Sequence, residues 1–191
     1  MDEELRSLTE RLRGEAGASV AYEHLVATDD LDELAAVLTA PGQPLWAREL
    51  VAFRLGIAGD PRAFEALVLL LNHREPQRCA SAAYALARLG DPRTARAAAA
   101  LATNELRVAY ALHPVRLLAA LRAPEAVPAL ITTLQRRLRP HDPYRRVALA
   151  CIDGLGAMGD ARARPALTEA LAHPALAEAA VHALARLPVE R

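Results

Sequence analysis

Apolar residues along this 191-residue chain recur at the three- and four-residue spacing of amphipathic helices, without the alternation of strands. One polar turn punctuates them repeatedly: a small-residue helix ends in Gly, Asp-Pro-Arg follows, and a second apolar stretch begins. It reads Gly59-Asp60-Pro61-Arg62-Ala63, then Leu89-Gly90-Asp91-Pro92-Arg93. A worn copy runs from Leu121-Arg122-Ala123-Pro124 to Leu130, and a fourth is Met158-Gly159-Asp160-Ala161-Arg162. The anchors 60, 91, 123 and 160 are spaced by 31, 32 and 37 residues. Each part of the turn has a physical job. Gly suits the left-handed C-cap of the first helix, Asp is a strong N-cap for the second, and Pro fits its first position, where no amide donor is needed.

These signals predict six helix pairs: 2–13 with 18–27, 30–39 with 44–58, 61–72 with 77–89, 92–103 with 105–121, 124–138 with 144–158, and 162–172 with 175–187. Pro114 predicts a kink or break inside the eighth helix. The Arg-Pro-His-Asp-Pro stretch at 139–143 lengthens one loop and accounts for the 37-residue spacing. Pairs this short cannot bury their apolar faces alone, whereas stacked neighbours can. The expected architecture is therefore an all-α superhelix, a solenoid of about six antiparallel helix pairs, forming a single domain over 1–191. Residues 1–43 form a divergent N-terminal cap, 44–187 the recognisable repeats and 188–191 a tail.

The Leu-Gly-Asp-Pro-Arg-Ala pattern with Ala-rich second helices resembles HEAT repeats of the phycobilisome-lyase type, over roughly residues 44–187. The resemblance implies a right-handed HEAT/armadillo-like solenoid whose second helices line a concave face. Counting back from each Asp anchor aligns Ala47, Arg78, Tyr110, Val147 and Leu176. Six residues on lie Phe53, Tyr84, Arg116, Asp153 and His182, and one turn away lie Glu49, Ile57, Arg88, Leu149, Glu178 and Arg186. Phe53, Tyr84, Arg88, Arg116, Asp153, Glu178, His182 and Arg186 are the expected partner-binding row, because aromatics anchor and Arg orients a bound peptide or helix. The first expectation for function is a non-catalytic scaffold or adaptor with a protein or peptide partner.

Two alternatives stay open. Some HEAT-like proteins are DNA glycosylases that grip the nucleic-acid backbone, and Arg136, Arg137, Arg139, Arg145 and Arg146 form a basic cluster suited to phosphate or other anion contacts. A lyase-like enzyme would use Asp153 and His182 as acid–base groups on a small or tethered substrate. The iron-binding HEAT-like hydroxylases carry His-Glu dipeptides, and this chain has none, so their activity is not carried over. No catalytic residue, metal or cofactor is assigned.

Composition then bounds the picture. Ala (44), Leu (32) and Arg (23) make up more than half the chain, and aromatics only 4%. That favours helix over strand. The absence of Lys removes Schiff-base and P-loop lysine chemistry. Cys79 and Cys151 stand far apart in apolar stretches without a CxxC motif, as reduced core thiols would. The start of the chain lacks a secretory-signal pattern and no apolar run is long enough to span a bilayer, so the expected location is the cytoplasm, with no membrane partner. Net charge is zero, yet residues 1–66 hold 13 acids against 6 arginines, and 67–191 hold 10 against 17. So polar a chain is compatible with a monomer or weak head-to-tail homo-oligomer.

Overall fold

The computed structural model describes residues 3–188, which are all-α, built of packed helix pairs as in a HEAT-like solenoid. The first residue of the first expected helix and residues 189–191 of the expected tail lie outside the described residues. The helices form two compact units that divide between Thr94 and Ala95. The first contains α1 (Glu3–Ala16), α2 (Val20–Ala27), α3 (Leu31–Thr39), α4 (Leu45–Ile57), α5 (Phe64–Leu71) and α6 (Pro76–Leu89). Helix α7 (Thr94–Ala102) starts at the division. The second unit continues with α8 (Leu112–Leu121), α9 (Ala126–Arg137), α10 (Arg145–Met158), α11 (Arg164–Ala170) and α12 (Ala177–Ala185). In the first unit α4 packs against α3, α5 and α6; in the second, α10 packs against α8, α9 and α12.

The repeated turn works as its chemistry predicts, with Arg adding a second function. Asp60, Asp91 and Asp160 each accept a hydrogen bond from the backbone N–H two residues on. The guanidinium of that same residue, Arg62, Arg93 or Arg162, then closes on the carboxylate at 2.6–2.8 Å. This hydrogen bonding holds all three carboxyls below the usual aspartate range. Arg62 also reaches Asp32 at 2.7 Å, and Arg93 reaches Glu65 at 3.2 Å while lying 3.9 Å from the centre of the Phe64 ring. Arg62 and Arg93 therefore tie their own helix caps to the preceding repeat, while Arg162, among the described residues, closes only on Asp160.

Gly59, Gly90 and Gly159 take left-handed backbone angles, as the C-cap requires; in the worn copy Arg122 is forced into the same region at φ 51°. Other glycines serve close packing. A Cβ on Gly156 of α10 would lie 2.8 Å from the Ala183 backbone of α12. At the equivalent position, Gly56 of α4, a Cβ would lie 3.1 Å from Ala183's counterpart on α6, the Ala85 Cβ. Consecutive second helices thus approach at a Gly–Ala contact in both units.

The expected helix at 105–121 is divided. Residues Glu105–Tyr110 form a 3₁₀ turn with a non-helical Arg107, and Pro114 falls in the first turn of α8, where its missing N–H costs nothing. The first expected pair also differs. Helix α1 packs chiefly on α4 rather than on α2. Its Leu8 and Leu12 are buried, and Arg54 of α4 caps the C-terminal end of α2, donating to Leu25 O at 2.7 Å. Both cysteines are buried, Cys79 donating to His73 O at 2.8 Å, and burial pushes the Cys151 thiol far up.

Candidate partner-binding site

Three neighbouring helices of the second unit, α8, α10 and α12, present the candidate site. Their apolar sides are in the core, through Val115, Leu118, Ile152, Leu155, Ala180 and Ala183. The residues between those rows must face outward by helix geometry. Two grooves result. One, of about 460 Å³, runs between α8 and α10 and is bounded by Arg116, Arg146, Leu149 and Asp153. The other, of about 250 Å³, runs between α10 and α12 and is bounded by Arg145, Asp153, Glu178, His182 and Arg186. Leu149 and Asp153 line both. Five of the eight expected row residues therefore share one face: Arg116, Asp153, Glu178, His182 and Arg186.

The electrostatics of this face set it apart. Among the described residues, Arg116, Arg145, Arg146, Asp153, Glu178 and Arg186 form no ion pair. The sequence reading missed His113, half-buried one turn before Arg116. Burial, then the Arg116 and Arg146 guanidiniums, hold its imidazole below the usual histidine range. Its spacing of three from Arg116, on one helix face, was the available signal.

The other three expected residues belong to the first unit, and one needs correction. Phe53 is 1% exposed and therefore not available to a partner. Its ring stacks on Tyr84 with centroids 5.8 Å apart and planes 6° from parallel. Arg88 lies 5.2 Å over the Tyr84 ring and donates to its hydroxyl at 2.7 Å. Register placed Phe53 outward, but a large apolar ring is most stable where it can be buried. Glu49, expected to extend the row, is also buried, at 1% exposure. It accepts from Arg11 of α1 and from Arg78 of α6, and Arg78 further binds Glu15 at 2.7 Å and Glu75 at 2.8 Å. Charged α1 thus closes the face of α4 that corresponds to the open face of α10.

The basic cluster is likewise redistributed. Arg137 is buried, held by Glu105 at 2.6 Å and Asp142 at 3.0 Å, and Arg136 donates to Thr103 O at 2.7 Å. Arg137 is therefore a structural residue rather than a surface phosphate contact, and Arg136 is partly engaged. Arg139, Arg145 and Arg146 remain exposed.

Residues 147–173 match the PBS lyase HEAT-like repeat. The match spans most of α10, the Gly159-Asp160 turn and α11, so the HEAT-like repeat carries Asp153 on its outward face. No curated protein matches the chain. HEAT-like repeats usually mediate protein interactions, which agrees with a protein partner. No helix among the described residues is long and apolar enough to cross a membrane, and none of their His, Cys, Asp and Glu side chains form a group able to hold a metal.

Proposed function

We propose that this protein is a non-catalytic scaffold or adaptor that binds a peptide segment of a partner protein across α8, α10 and α12. One observation carries this reading: a continuous pair of grooves lined by unpaired charges of both signs, Arg116 and Arg146 beside Asp153, then Glu178 and Arg186. Side chains left without partners in the free protein are those that can pair across an interface without first breaking an internal bond. Leu149 supplies apolar contact between them. Mixed charge favours a zwitterionic peptide over a polyanion, because Asp153 and Glu178 repel phosphates.

Panning a displayed library of random peptides provides the test. Selected sequences should carry both acidic and basic residues and bind at least tenfold more weakly to an Arg116→Glu/Asp153→Arg variant. An Arg96→Glu control, altered at another exposed arginine, should bind as the unaltered protein does. Equal binding by all three proteins would reject this face.

A further inference from the structure

A third cavity, of about 240 Å³, opens at the start of α10 and shares Arg145 and Ala175 with the α10–α12 groove. Arg139, His141, Arg145 and His173 line it, with buried Arg137 in its wall. Arg139 and Arg145 are exposed and form no ion pair among the described residues. Asp142, also on the wall, is occupied by Arg137 and by the Tyr144 N–H at 2.9 Å. The Nε of Arg137 is buried with no hydrogen-bond partner, an orphaned donor in a cavity wall. No side chain caps α10, so its first N–H groups add to the positive potential at the cavity.

We infer that this cavity is a phosphate-monoester pocket that anchors a phosphorylated residue of the peptide lying in the adjoining groove. The two free guanidiniums match the charge of a phosphate monoester, roughly −1.5 to −2 at neutral pH, and their planar forks suit its oxygens. The imidazoles of His141 and His173 supply further ring donors. A cavity of about 240 Å³ has room for one phosphate, whereas a nucleic-acid backbone continuing into the groove would meet Asp153 and Glu178. The pocket itself stands independently of the groove; only the peptide carrier rests on the function proposed above.

Two probes separate the two statements. Inorganic phosphate, titrated at constant ionic strength, should shift the NMR signals of His141, His173 and the Arg145 side chain, with saturation. Arg139→Ala/Arg145→Ala, at exposed positions, should keep the fold and weaken phosphate binding at least tenfold. Chloride giving the same shifts, or undiminished binding by the variant, overturns the pocket. A fluorescent hexapeptide with phosphoserine first and arginine fourth should then bind at least tenfold more tightly than its unphosphorylated form. It should also bind more tightly than a DNA duplex of equal length. Saturable phosphate binding with no preference for the phosphopeptide, or tighter binding of the duplex, overturns the peptide carrier and leaves the pocket standing.

Discussion

Helices α4 and α10 occupy the same place in their repeats, yet one is sealed and the other is open. Residues 49, 53 and 56 correspond to 149, 153 and 156. The glycine is common to both and packs against an alanine of the next second helix in each unit. The other two positions differ in fate. Glu49 and Phe53 are buried under α1 and against Tyr84, while Leu149 and Asp153 line open grooves. The units also differ in charge: residues 1–94 hold 15 acids and 10 arginines, residues 95–191 hold 8 and 13. A HEAT-like repeat therefore supplies a face but does not decide whether it is used. In the first unit α1 satisfies Glu49 internally through Arg11; in the second the equivalent face stays open.

The largest way to break this comparison is to remove the carboxylate that holds the closed face. Glu49→Ala leaves Arg78 buried with one partner fewer and should cost about 3 kcal/mol in urea unfolding. Asp153→Asn on the open face should stay within about 0.5 kcal/mol of the parent. A loss below about 1 kcal/mol for Glu49→Ala would show that charge pairing does not hold α1 down. Gly156→Ala comes next, at about 1–3 kcal/mol from overpacking against the Ala183 backbone. Gly56→Ala should cost less, since its shortest approach is to the movable end of Leu67. Arg122→Gly sharpens the repeat comparison in the opposite direction. It should stabilise by roughly 0.5–1 kcal/mol by relieving left-handed strain, seen as a higher Tm.

The smallest effects follow pH. The lowered native pKa of His113 means that the unfolded chain takes up that proton first. Stability should therefore fall as pH drops from the ordinary histidine value through the lowered native one. Stability from Asp60, Asp91 and Asp160 is present above the ordinary aspartate pKa and is lost as pH falls through their depressed native values. His113→Gln should remove only the first of these two steps in a pH series of urea midpoints.

Much of the fold was legible because its determinants are local. Gly-Asp-Pro-Arg, with Ala161 in place of Pro in the fourth copy, encodes a C-cap, an N-cap and a first helical turn within four residues, so three of the anchor turns form as read. The site was partly legible for the same reason: register alone put Arg116, Asp153, Glu178, His182 and Arg186 on one face. Register failed where a distant segment intervened. Nothing near Glu49 announces that Arg11 and Arg78 will enclose it. Nothing near Arg137 announces Glu105, 32 residues earlier. In the basic cluster, arginines that look alike in sequence were sorted by such partners into buried braces and free surface charges.

Helix positions, turn chemistry and outward register follow from this chain's own residues, because capping, proline geometry and helical periodicity act over a few residues. The tertiary structure alone decided that α1 would lie on α4, that Phe53 would turn inward, and which charges would remain unpaired. Those outcomes depend on long-range burial and ion pairing, where a charge's fate is set by what packs beside it.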